Sequence, residues 1–272
     1  MLSLFSETLP ARPVRLIRMV IGAICLLRSV EGYRLMSRVL NPLSMRFPVW
    51  DALPAFNRTQ ALILLSLWVI AAIAFTLGWR TGITGLILAA AMGIPLVLDQ
   101  QLYSSHLYLL CLIVLLLTLA EIGRPAQSSS VWRWPILLLQ LQLSIVYFFA
   151  AITKMNSVYL GGYMLGANLR RNMPAIAFNP RLLSAMAVAS IVVELFLAGA
   201  FWVPRLRKTA VVIGLLFHMA MIATLVPEVA AQLAIFAAAC IAIYPFYFLR
   251  AENAPAPNPS TDLTPDKAVE IG

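Results

Sequence analysis

The sequence is poor in charge. Asp, Glu, Lys and Arg make up 11% of its 272 residues, against about 25% in soluble domains. A solvated surface cannot be built from so few ionic groups, so a soluble globular fold is excluded. Cysteine is also scarce. Cys25, Cys111 and Cys240 sit in three separate apolar runs, none in a CxxC or Cys/His pattern, which argues against a redox pair and a zinc site. Acidic residues number 11 against 20 Lys and Arg. The basic excess is scattered between apolar runs rather than clustered, so it reads as a topology signal and not as a nucleic-acid surface. The opening MLSLFSETLP is short and acidic, so no cleavable signal peptide is expected and insertion relies on uncleaved spans.

What is present is hydrocarbon: 61% of the residues are hydrophobic and the mean hydropathy is +0.88. A membrane-spanning helix needs roughly 20 apolar residues. Runs of that kind fall at 14–35, 59–79, 81–98, 103–122, 134–154, 182–203, 208–226 and 229–249. The first carries Arg18, Arg28, Glu31 and Arg34, so it reads either as a span or as an interfacial helix. The expected fold is an all-α, polytopic integral membrane helical bundle of about eight spans, occupying residues 1–250. Residues 251–272 are Pro-rich, polar and without aromatics, which predicts a disordered tail. Lys and Arg are slightly more frequent on the side of the termini, with RLRK at 205–208 the firmest vote. The expected location is the cytoplasmic (plasma) membrane with cytoplasmic termini. The connections 36–58 and 157–181 exceed simple turns and suit interfacial or re-entrant segments. No internal repeat of the transporter kind is visible, and intramembrane acids are few, which argues against a transporter.

Ionisable groups inside spans are costly, so each is a functional candidate. Both histidines of the chain qualify, His106 at the start of the fourth run and His218 in the seventh. Glu194 lies in the middle of the sixth. For any one of them, a hydrogen bond that fixes helix packing is the plain alternative. The fifth run adds geometry. At about 100° per residue, Gln140, Ser144, Tyr147, Ala151 and Lys154 fall in a stripe about 80° wide, which should face the bundle interior. Lys154 is either a snorkelling anchor or a base. A base must be partly neutral near pH 7, which desolvation favours. Tyr147, Phe148 and Phe149 are the expected desolvating wall. No acid lies between Arg124 and Glu194, so Lys154 is expected to be buried, cavity-facing and without a carboxylate contact. His106 and Lys154 begin and end their runs on one membrane face and are expected to converge. Arg28 and Glu31 are read as an i,i+3 pair, and Arg18 as a group near the interface.

RMVIG at 18–22, SSHLYLLCLIVLLL at 104–117, and WRWPILLLQLQLSIVYFFAAITKMNSVYLGGYM at 132–164 carry a resemblance, together with Glu194 and GLLFHMAMI around His218. The chain resembles the HTTM (horizontally transferred transmembrane) proteins and the membrane part of vitamin K-dependent γ-carboxylase. The resemblance implies that Lys154 is a base acting on reduced vitamin K and that His106 assists it. Thr153 stands where the carboxylase has a further lysine, and Ser105 where it has an asparagine. Its large extracytoplasmic substrate-docking domain has no counterpart in these residues, so carboxylation of protein glutamate is not implied. The candidate function is a membrane enzyme using a lipophilic quinol, oxidoreductase or carboxylase-like, with Lys154 and His106 catalytic. Gln140, Tyr147, Glu194 and His218 are candidate substrate-binding residues, a reduced quinone the candidate cofactor, and no metal is expected. The alternative is a non-catalytic membrane protein assisting peptide maturation or export. Expected partners are bilayer lipid, a quinol and a peptide substrate, and not nucleic acid.

Overall fold

The computed structural model describes residues 7–41, 45, 47–49, 57–122 and 128–250. Each apolar run becomes a helix: α1 Ala11–Val39, α2 Arg58–Leu77, α3 Thr81–Leu98, α4 Ser105–Glu121 and α5 Arg133–Thr153. After the short helices α6 Ser157–Leu160 and α7 Tyr163–Asn168 come α8 Pro180–Ala200, α9 Arg207–Thr224 and α10 Pro227–Ile243. Ten described α-helices and a single two-stranded sheet make this a helical membrane bundle. The tail and most of the 36–58 connection lie outside the described residues.

Among the described residues, six helices are long and apolar enough to cross a bilayer: α2, α3, α5, α8, α9, and α10 with its 3-10 extension to Phe248. The other two expected crossings depart for physical reasons. At about 1.5 Å per residue, the 17 residues of α4 reach roughly 26 Å, just short of a hydrocarbon core of about 30 Å. The 29 residues of α1 are long enough but too charged. Its polarity is nevertheless turned inward. Arg18 and Arg28 are buried, whereas Leu16, Val20, Leu27 and Val30 are exposed, an apolar outer face suited to lipid.

Strands β1 Thr8–Pro10 and β2 Ser130–Trp132 pair antiparallel, with Leu9 opposite Val131. The start of α1 and the start of α5 therefore share one end of the bundle. Arg133 strengthens the join through an ion pair with Glu7. An even number of crossings must separate the two strands, so α1 and α4 either both cross or both do not.

Local chemistry sets the helix ends. Asn57 and Gln60 form a reciprocal capping box at the start of α2, which satisfies two otherwise orphaned N–H groups. Gly78 ends α2 at φ 81°, a left-handed conformation that costs glycine nothing. Asn179 caps α8 immediately before Pro180. Ser104 caps α4.

Arg18, read as a group near the interface, lies level with the ends of α2 and α4, but it is engaged with the protein. Arg18 is 5% exposed, pairs with Glu121 at 3.2 Å and donates to the Phe75 carbonyl at the end of α2. A guanidinium can bridge a carboxylate and helix-terminal carbonyls at once because its donors form a fork. The Arg28–Glu31 pair is present, and Arg28 also donates to Ser104 Oγ at 3.2 Å.

The 157–181 connection is compact. Helices α6 and α7 lie on α8, where Ser184 Oγ donates to the Leu160 carbonyl at 2.6 Å and Tyr159 Oη meets Ser190 Oγ at 2.9 Å. Arg170 then caps the end of α9, donating to the carbonyls of Leu225 and Ile222 at 2.8 and 3.1 Å.

Candidate functional site

Helix α5 supplies the backbone of the site. Its stripe faces inward, with Tyr147 and Ala151 buried. Ser144 Oγ accepts from Trp202 Nε1 at 2.7 Å. Lys154 and Ser144 thus contact residues 194 and 202 of the α8 end, so α5 and α8 run antiparallel.

That geometry overturns the expectation that Lys154 would lack a carboxylate. Lys154 Nζ lies 2.5 Å from Glu194 Oε1. The physical reason is side-chain direction. Cα–Cβ bonds tilt toward the N-terminus of their own helix. In an antiparallel pair, Lys154 therefore leans down into the bundle while Glu194 leans up toward it. Forty residues separate them in sequence, and depth along the helix alone suggested no contact. Lys154 is not an anchor in the headgroups either, because its side chain is 19% exposed. Its amine also lies 5.5 Å from the centre of the Tyr159 ring.

The pair lies on the wall of a cavity of about 710 Å³. Small-molecule sites commonly measure about 300–1,000 Å³. The wall includes His106 from α4, Gln142, Tyr147 and Lys154 from α5, Glu194 from α8, His218 from α9 and Phe236 from α10. His106 and Lys154 thus share one chamber, as expected. The His106 ring packs 4.7 Å from that of Phe236.

Deeper in the bundle, Tyr147 Oη lies 3.0 Å from His218 Nε2 and 2.6 Å from Tyr244 Oη. Gly214 makes this possible. A Cβ there would collide with the Tyr244 hydroxyl, so only glycine lets the tyrosine pass α9 and reach Tyr147. Two buried polar atoms have no partner among the described residues, Glu194 Oε2 and His218 Nδ1. Buried polar atoms are ordinarily paired, and both residues belong to the cavity wall.

Other sequence-based candidates fall elsewhere. Gln140 is not among the residues lining the cavity; its backbone carbonyl accepts from Tyr247 Oη at 2.6 Å. Gln142 takes the lining position instead. Of the expected desolvating wall, Tyr147 and Phe149 line the chamber and Phe148 does not. Tyr244 escaped sequence reasoning because it stands in IYPFYF at a span end, where tyrosine is ordinarily an interfacial anchor. The three cysteines are free. No group of three His, Cys, Asp or Glu residues able to hold a metal is found among the described residues.

No curated protein and no solved structure matches the chain. The family model of the HTTM domain matches residues 8–251, from the first strand through the last helix, and the chain belongs to that family of membrane proteins.

Proposed function

We propose that this chain is a membrane enzyme that admits a lipophilic, quinol-sized hydroxylic molecule to the cavity and removes its hydroxyl proton there. One observation carries the reading: Lys154, Glu194, His106 and His218 all converge on a single, largely apolar chamber. Tyr103, Tyr108, Ile145 and Phe149 belong to its lining and are also exposed on the outside of the bundle. That arrangement supports sideways passage from lipid. The relation of the family to the membrane part of γ-carboxylase points the same way.

The ion pair redistributes the roles. Lys154 is paired with Glu194 rather than standing as a lone amine, so we assign it a stabilising role and not that of the base. Glu194, the acid of the cavity wall, is the group we assign to accept the hydroxyl proton. Lys154, beside it, is assigned to stabilise the oxyanion, as preorganised groups do where charge develops. His106, on the α4 side of the chamber, orients the head group. A reduced quinone of the vitamin K type fits the volume and the largely apolar wall. When bound, it would supply an oxidisable hydroxyl. Oxidoreductase and carboxylase-like outcomes both begin with this deprotonation.

The alternative, a non-catalytic bundle assisting the maturation or export of a peptide, draws on the same ion pair read as helix glue. We place the protein in the plasma membrane with its termini and the tail 251–272 cytoplasmic, on the strength of RLRK between α8 and α9. Mass spectrometry of lipids co-purified with the intact protein tests the main reading. A menaquinone or ubiquinone should accompany the native chain and be depleted at least tenfold in Ala150→Trp, which fills the chamber. A folded native protein carrying no quinone would favour the alternative.

A further inference from the structure

A groove of about 670 Å³ runs between α9 and α10 and shares no lining residue with the chamber of Lys154. Lys208, Val211, Val212 and Leu215 form one wall, at the i, i+3, i+4 and i+7 spacing that places side chains on a single helix face. The other wall is the end of α10 and its 3-10 extension, from Ile241 to Leu249. Tyr244 belongs to it, with its hydroxyl already engaged by Tyr147. An occupant therefore meets hydrocarbon and aromatic rings, and one charged side chain, Lys208.

The groove has the depth and the opening of a lipid site. Seven residues of helix rise about 10 Å, so it starts where α9 begins and stays within one leaflet, about half of a hydrocarbon core of about 30 Å. Val212 and Phe248 are exposed on the outside of the bundle, which leaves the groove open sideways. Trp202 lies at the same end, partly exposed and packed edge-on against Tyr247, as tryptophans do at headgroup level.

Charge then selects among lipids. Lys208 stands at the outer end of the groove. Arg205 precedes it in the turn from α8, and Arg250 follows Leu249 of the facing wall. All three cations are exposed. The ion pairs among the described residues use Arg18, Arg28, Arg133 and Lys154 instead, so no described carboxylate neutralises this cluster. The helix does not favour the placement either. Its N-terminus carries partial positive charge, and the first turn of α9 has no acid. Basic clusters beside a transmembrane helix attract anionic headgroups, and a lysine can lay its stem along apolar surface while its ammonium stays at headgroup level.

We propose that the α9–α10 groove binds an anionic phospholipid of the bilayer, with an acyl chain along Val212 and Leu215 and the phosphate held by Lys208. Arg205 and Arg250 supply the surrounding positive field. The site is separate from the cavity and does not depend on the function proposed above. Arg12, exposed at the start of α1 on the same end of the bundle, carries the same charge but lines no part of the groove. It separates a bound lipid from the general attraction of a basic surface.

The test reconstitutes the full-length protein in vesicles of equimolar phosphatidylglycerol and phosphatidylcholine with identical acyl chains. The protein is then released into detergent and its retained phospholipid read by native mass spectrometry. Phosphatidylglycerol should be retained at least tenfold over phosphatidylcholine. Lys208→Gln should lower that retention at least fivefold, and Lys208→Arg should preserve it. Val212→Trp, which fills the groove at a position already facing lipid, should lower it as far as Lys208→Gln does. Arg12→Gln should stay within twofold of the native protein. Equal retention of the two phospholipids by the native protein, or equal losses in Arg12→Gln and Lys208→Gln, overturns the site and leaves a basic surface alone. A dimer of the chain in place of retained phospholipid, broken by Val212→Trp, overturns it in favour of an interface between copies.

Discussion

Two buried ion pairs in this bundle look alike in composition and differ in what surrounds them. Arg18–Glu121 lies toward the end of the bundle that holds the β1–β2 strands, where the guanidinium also reaches the Phe75 carbonyl at the end of α2. Lys154–Glu194 lies toward the opposite end of α5, where both residues line a cavity and one carboxylate oxygen is buried without a partner among the described residues. Both pairs carry charge into a membrane bundle, where each isolated charge costs about 2.5–3.5 kcal/mol or more. In the first, the donors are spread over a carboxylate and helix-terminal carbonyls, which ties three helices together. In the second, hydrogen-bonding capacity is withheld. A pair completed by the protein reads as architecture; a pair left incomplete beside empty volume reads as chemistry.

Arg18→Ala should produce the largest loss of stability. It strands a buried Glu121 and the α2 carbonyl together, and breaking a buried pair from one side typically costs about 3–5 kcal/mol. Thermal unfolding in detergent should show the drop. A loss below about 1 kcal/mol would mean that Arg18 is as replaceable as a surface group, and the comparison would collapse.

Gly214→Ala comes next. The added methyl meets the Tyr244 hydroxyl, and overpacking of this kind typically costs about 1–3 kcal/mol. In nitrogen NMR of the ¹⁵N-histidine-labelled protein, the variant should also disturb the His218 signals while leaving those of His106 in place. Unchanged stability with unchanged signals would mean that Tyr244 can back away without consequence.

The contrast between the pairs also marks what was legible in the sequence. All eight apolar runs became helices, because hydrophobic length is a local property of the chain. The inward stripe of α5 was legible for the same reason: a period of about 3.6 residues places Tyr147, Ala151 and Lys154 on one face without knowledge of any neighbour. Partners were not legible. Glu194 lies 40 positions from Lys154 and Tyr244 lies 97 from Tyr147. Their contacts depend on the antiparallel register of α5 with α8 and on the missing side chain of Gly214. The partners of Arg18 were hidden likewise, since Glu121 and the Phe75 carbonyl lie on other helices.

The Lys154–Glu194 pair should respond less in stability than in occupancy. Lys154 is partly exposed and can relax outward, so Glu194→Gln is expected to cost less than the about 3–5 kcal/mol typical of breaking a fully buried pair. Lys154→Met/Glu194→Gln together should cost less than the sum of the singles, because neither leaves the other charge unpaired. Each single variant should nevertheless lose at least tenfold of the co-purified lipid. Full retention of lipid in Glu194→Gln would return the pair to helix glue and make it resemble Arg18–Glu121 after all.

The smallest effect is expected at Gln140, which belongs to the same stripe as Lys154 by helical angle yet contributes through its backbone. Its carbonyl receives the Tyr247 hydroxyl at 2.6 Å, a bond that any residue at this position can accept. The side chain is not among those lining the cavity. Gln140→Ala should therefore change stability by no more than about 0.5 kcal/mol, the usual range away from special features. It should also leave the His218 signals and the co-purified lipid unaltered. Gln142→Leu supplies the sharper half of the test, since Gln142 does line the chamber. If Gln140→Ala depleted the lipid while Gln142→Leu did not, the functional surface of α5 would be rotated from the one assigned here, and the incomplete Lys154–Glu194 pair would have to be explained without the cavity.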